Sequence, residues 1–342
     1  MLKKNILLTI KVIICILVIF FMINLDNTQR IEHSTFVSAI GIDKSKNENK
    51  ILVTYQIVPP QITNESTPDL DKYSTTTVET ETMEEAVAII HNYISTVVNF
   101  SHARAIIFSK EIAELGCIEY INSIVTNPTY NSNMFVMVCS TSAQKYLESM
   151  SKDLEVNPIL YYNVIRNANY ISSSIQPVTA IEFLRDYYLP NVNATATMCS
   201  VIEDKNKENT KDIKSVSNSS EKEIDNIEKK DGNIEKKSKS KIEAGGMAIF
   251  DKDKLIGTLN LDETAYYLMI NSKLRLYNTN TKIDKFKVGL LIRQKGKTNI
   301  SVCIKEENPV IKINVPLQVS VAAKDEFYTT YVRRKRKKTS TK

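Results

Sequence analysis

Between Glu203 and Lys241 the chain carries ten acidic and eleven basic residues, with Ser and Asn filling the gaps and apolar side chains only in isolation. A segment of this composition cannot bury enough apolar surface to offset the entropy of ordering it, so no core forms there. Folding must happen on either side of it. The stretch "EKEIDNIEKKDGNIEKK" has acid–base pairs at helical spacing, which allow at most a solvated helix, interrupted by Gly232. The 342 residues therefore divide into 26–200, a charged linker at 201–243, and a shorter unit at 244–332. Residues 1–25 precede these units and a basic tail, 333–342, follows them. Each of the two units is long enough for a domain with its own core.

The amino terminus follows a different logic. Lys3 and Lys4 precede an apolar run from Ile6 to Ile23, broken only by Thr9 and Lys11. As a helix it would extend roughly 27 Å, close to the thickness of a bilayer's hydrocarbon core. The lysines lie on its amino-terminal side and Asp26 beyond the other end, so the positive-inside rule puts residues from 26 onward outside the cytoplasm. Signal peptidase requires small residues after the apolar run, and the exit "FFMINLDNTQ" has none at the right spacing. The reading is an uncleaved anchor, with a cleaved signal peptide as the alternative.

Within 26–200 the sequence predicts α+β structure. Residues 36–43 and 50–58 are strand-like, and Thr54 and Gln56 alternate with Val53, Tyr55 and Ile57 at the period of a half-buried strand. The pair is expected to form a hairpin on the rim of a mixed domain. Thr82 with Glu85, Thr141 with Gln144, and Thr179 with Glu182 are spaced as capping boxes, and Ser109 can cap the helix "KEIAELGCIEYINSIV". "RAIIFS" reads as a short buried strand and "NMFVMVCS" as another strand, and further helices are expected over 157–168 and 180–189. After the linker, Met247–Phe250 and Lys254–Leu259 read as strands, Leu261–Ile270 as a helix, and "FKVGLLIR", "NISVCIKE" and "VIKINVPLQVSV" as strands of a smaller sheet. The predicted fold is thus a mixed-sheet domain with several helices, then a sheet-and-helix domain, behind a membrane helix.

Chemistry is scarce. His33, His91 and His102 are the only histidines, none beside an acid at metal-ligand spacing. No H-E-x-x-H, G-x-S-x-G, G-x-G-x-x-G or P-loop is present. Cys15, Cys117, Cys139, Cys199 and Cys303 lie far apart without a C-x-x-C, so neither a disulfide framework nor a zinc site is implied. The tyrosine pairs at 161–162, 187–188 and 266–267 could line a groove, although core packing accounts for them more simply. The net charge of +6 equals the six basic residues Arg333 to Lys338, which leaves the rest near neutral and gives no nucleic-acid surface. The tail either touches anionic lipid or stays solvated. No catalytic, cofactor or metal residue is assigned, and the chain is expected not to be an enzyme.

The blocks "TFVSAIGIDKSKNENKILVTYQIVPP", "TMEEAVAII", "SHARAIIFSKEIAELG" and "GGMAIFDKDKLIGTLNLDETAYYLMI" together resemble the Ger(x)C family, the C subunits of spore germination nutrient receptors. The resemblance runs from about Gln29 to Val319, with the charged insertion unmatched. It implies a non-enzymatic lipoprotein on the outer face of the spore inner membrane. Its implied partners are integral membrane subunits of the A and B types, and any contact with nutrient is indirect. Two departures stand out. Leu25 occupies the position where the family carries its lipidated Cys, so no lipidation residue is assigned and a helix must anchor the chain. The chain also stops at Lys342, where the family continues through a long helix and closing strand. That leaves a partner covering the exposed sheet, or a shortened and impaired paralogue, as the expectations. An exported amino-acid-binding module is the other functional alternative.

Overall fold

The computed structural model describes residues 5–6, 10–18, 34–58, 73–150, 158–167, 173–202, 241–283, 286–305 and 308–324. The charged linker, Leu25, His33 and the basic tail lie outside these. So do residues 7–9 and 19–23 of the predicted membrane span; its residues 10–18 are helical. Among the described residues no helix is long and apolar enough to cross a membrane.

A nine-stranded mixed sheet forms the larger body. Its centre is parallel: β1 (Ser34–Lys44), β5 (Ala105–Ser109), β6 (Phe135–Cys139) and β7 (Thr195–Ile202) lie side by side, with short β4 (Val97–Asn99) against the start of β1. Antiparallel arms extend both ways: β2 (Ile51–Val58) and β3 (Ser74–Thr80) beyond β1, and β8 (Lys241–Asp251) and β9 (Lys254–Leu259) beyond β7. β5 and β6 are buried at every residue, as parallel strands covered on both faces must be, and their sequences are correspondingly apolar but for Ser109 at the end of β5.

Helices cover both faces. On one lie α1 (Met83–Tyr93), α2 (Lys110–Leu115), α3 (Ile118–Thr126) and α6 (Ala180–Tyr188), whose apolar residues join Ile40, Ile106, Val136 and Ala248 in one cluster. On the other, α4 (Ala143–Glu148) and α5 (Pro158–Asn167) pack on Ala39, Ile107, Met137 and Cys199. A third cluster joins Met247 to α7 (Leu261–Ile270) and Tyr277. Beyond it are a three-stranded sheet, β10 (Tyr277–Ile283), β11 (Phe286–Gln294) and β14 (Leu317–Lys324), and a hairpin of β12 (Asn299–Lys305) and β13 (Asn308–Asn314).

Several expectations change. β1 is an interior strand, so the first hairpin is not on a rim. β2 is buried on both faces, because α4 covers the side that carries its polar residues. Thr54 bonds Thr77 at 2.9 Å, and Gln56 accepts from Ser38 Oγ at 2.8 Å, which satisfies polar groups that no water reaches. The stretch after Ser109 is two helices, not one: Gly116 at φ +128° ends the first, with only α2's last turn before it. The Thr141 box does not form, since α4 starts a residue later on Ser142. β3, β7 and β10, all Thr- or Ala-rich, went unrecognised, their propensity being supplied by pairing. The strands β8 and β9, expected with the later sheet, instead pair with β7, seven register positions joining β7 to β8.

Candidate interaction surface

The sequence blocks that carry the family resemblance turn out to be joints of the fold. Gly41 of "AIGIDK" lies under α4, where a Cβ would come 2.9 Å from Leu147 Cδ1 and 3.2 Å from Ala143 Cβ. Two residues on, the Asp43 carboxylate accepts from Ala143 N–H at 2.8 Å and Gln144 N–H at 2.7 Å, capping α4 from another element. Burial pushes this carboxyl above its ordinary range, against the pull of those two N–H groups. Gly116 and the turn "DKDK" form a second joint. Asp253 O accepts from Cys117 N–H at 3.2 Å and Asp253 Oδ2 from Ile118 N–H at 3.4 Å, so the β8–β9 turn starts α3. In the third, Asn260 and Glu263 make a full capping box on α7, and Tyr277 donates to Asp262 at 2.6 Å.

The other singled-out residues are structural where they are described. His91 is exposed on α1, edge-on to Phe100 with ring centroids 6.1 Å apart, and His102 packs on Phe36 at 4.9 Å. They are not brought together. Tyr162 is fully buried, with Tyr161 against it at 5.4 Å, while Tyr187 and Tyr188 pair at the surface. Cys117, Cys139 and Cys199 are buried; Cys15 and Cys303 are exposed. Among the described residues no group of His, Cys, Asp and Glu is placed to hold a metal ion.

What the sequence did not single out is the ribbon formed by β12 and β13. Its register sets Ile300 opposite Ile313, Val302 opposite Ile311, and Ile304 opposite Pro309. Alternate residues of a strand share a face, so one side of the hairpin is wholly apolar while the other carries Asn299, Ser301, Lys312 and Asn314. That alternation is the pattern of a strand pair with one covered face. Nothing among the described residues covers it: Val302 is 65%, Ile311 63% and Ile304 77% exposed. On β14, Leu317, Val319 and Val321 add three exposed side chains at alternate positions.

The ribbon is nevertheless held in place at its base. Lys295 N–H donates to Pro316 O at 2.9 Å, tying together the two chains that lead into the hairpin. Gln294 Nε2 and Thr298 Oγ1 donate to Met269 O at 3.1 and 2.6 Å, at the carboxyl end of α7. Ser272 Oγ accepts from Thr298 N–H at 2.8 Å. An apolar face of this extent is unusual on a free-standing protein.

Two family models match the chain. Residues 27–201 match a "Spore germination protein N-terminal domain", and residues 245–341 match "Spore germination B3/ GerAC like, C-terminal". The chain belongs to the GerAC-like spore germination family. The two matches leave residues 202–244, which hold the charged segment, between them. Among curated proteins nothing matches. A solved structure described as "Crystal Structure of the GerBC protein" is similar at 14% identity, with a TM-score of 0.39, over 84% of this chain and 72% of that one.

Proposed function

We propose that this GerAC-like protein is the C-type subunit of a nutrient germinant receptor, acting without catalysis by binding other polypeptides outside the cytoplasm. The observation that carries this reading is the open apolar face of the β12–β13 ribbon. Five exposed apolar side chains on the hairpin form this face, and three more are exposed on β14 of the separate three-stranded sheet. The family resemblance supplies the occupant: apolar surface on the receptor's A- and B-type integral membrane subunits. The base is pinned to α7, so the β-ribbon can seat without rearranging the larger sheet. Residues 6–23 tether the chain in the spore inner membrane, with the bulk on the extracytoplasmic side and no lipid on Leu25.

The test uses the full chain co-expressed with the two membrane subunits. Wild-type protein is expected to co-purify with them, and a double variant, Val302→Asp with Ile311→Asp, to be lost from the complex while accumulating normally. Undiminished co-purification of the variant would sink the docking surface. In spores, deleting the gene should abolish the response to particular nutrients and leave sporulation intact.

A further inference from the structure

We infer that Cys139 and Cys199 form a dithiol that closes to a disulfide across the sheet, latching β6 to β7. Three observations place them together. They are direct register partners, the last matched pair of two adjacent parallel strands. Both side chains lie on the α4–α5 face of the sheet, in one cluster with Tyr146 and Tyr162. Each thiol is among the groups that shift the other's ionisation, as neighbouring sulfurs do. Neighbouring strands stand about 4.8 Å apart. That spacing falls inside the Cα–Cα range of about 4.4–6.8 Å that a disulfide bridges.

The environment differentiates the pair. Cys139 is pulled down to about 7 by Cys199 and by the backbone and hydroxyl of Thr141, whereas burial holds the Cys199 thiol well above its ordinary range. Asp43, the one carboxylate acting on Cys139, opposes this. Both thiols are buried, so attack on an oxidant requires local opening on the α4–α5 side, with Cys139 the attacking sulfur and Cys199 the resolving one. With a low-molecular-weight disulfide as oxidant, Cys139 sulfur attacks one sulfur and releases one small thiol. Cys199, losing its proton, then displaces the second. One S–S bond is consumed and one formed, and the two electrons leave on the two small thiols.

The position gives the bond a consequence. β6 and β7 share three register pairs, fewer than any other join along the main path of the sheet. This join connects the Ser34–Cys139 half to the β7–β9 half, which carries α7 and the apolar ribbon. A covalent bond there fixes the one half against the other.

The experiment incubates the full chain with oxidised glutathione, denatures it, alkylates free thiols and measures intact mass. Five cysteines are present, and the expected result is the loss of two alkylated thiols, with a peptide map joining 139 to 199. Exposed Cys15 and Cys303 are replaced by Ser in the protein tested, which makes the expected fall three to one. The unfolding midpoint should rise by about 5–10 °C on oxidation, as closing a loop of this length implies. In the Cys199→Ser variant the protein should stop at a mixed disulfide on Cys139. Three alkylated thiols after oxidation, a bond to Cys117, or a stable glutathione adduct in the protein that retains both thiols would each overturn the assignment.

Discussion

Replacing Asp43 with Ala should unseat the amino end of α4. The carboxylate accepts the Ala143 and Gln144 N–H groups at 2.8 and 2.7 Å, and the first of these is buried. Removing the acceptor leaves two amides unsatisfied, each costing about 1–3 kcal/mol. Relief of the buried carboxyl's desolvation offsets part of that, so the net loss is about 2–4 kcal/mol, or roughly 5–10 °C in midpoint. Asn at this position retains one acceptor and should lose about half as much. The pH dependence supplies a sharper check. Asp43's folded pKa is raised by burial, so its stabilising contribution is fully present below the unfolded value and is lost as pH rises through the folded one. Asn does not titrate, so the gap between wild type and Asp43→Asn should narrow from acid toward neutral pH. Thermal unfolding of the full chain and both variants, followed by circular dichroism, reads these quantities. An Ala variant within about 0.5 kcal/mol of wild type, or a gap that widens with pH, would refute the role given to this carboxylate.

Other variants probe other joints. Gly246→Ala forces a side chain onto φ +88° and a Cβ to 2.6 Å from the Leu259 carbonyl, and should cost about 2–4 kcal/mol in chemical denaturation. Tyr162→Phe should be neutral or stabilising by up to about 1 kcal/mol, because its buried hydroxyl finds no hydrogen-bond partner among the described residues. Thr179→Ala breaks the α6 capping box and should lower stability by about 1 kcal/mol in the same assay. Val302→Asp should change stability by less than about 0.5 kcal/mol, since the side chain is exposed, and yet weaken subunit association at least tenfold in a binding titration.

Much of the framework was legible before any coordinates. The helices α5, α6 and α7 were placed to within two residues, and the runs "AIIFS" and "FVMVC" were legible as strands. The misses have physical causes. Thr54 and Gln56 were read as a solvent face because polarity in a strand usually means water; here Ser38, Thr77 and the Leu147 carbonyl stand in for it. One helix became two because Asp253, 137 positions from Gly116, supplies the cap that makes a fresh start favourable. The ribbon's apolar strands read as strands and an exposed sheet was expected in the last unit, but which strand face is left bare is set by register. The pairing of Cys139 with Cys199 was equally hidden, because their spacing says nothing and only register brings them together.

By itself, the sequence determined which of the described segments would be helix and which strand. Those are local consequences of apolar spacing and capping chemistry. Tertiary structure alone decided that β8 and β9 complete the larger sheet, which polar groups are buried, and which apolar face is left bare. Each of these depends on what lies across a gap in space, and that is set by strand register and helix coverage contributed from distant parts of the chain.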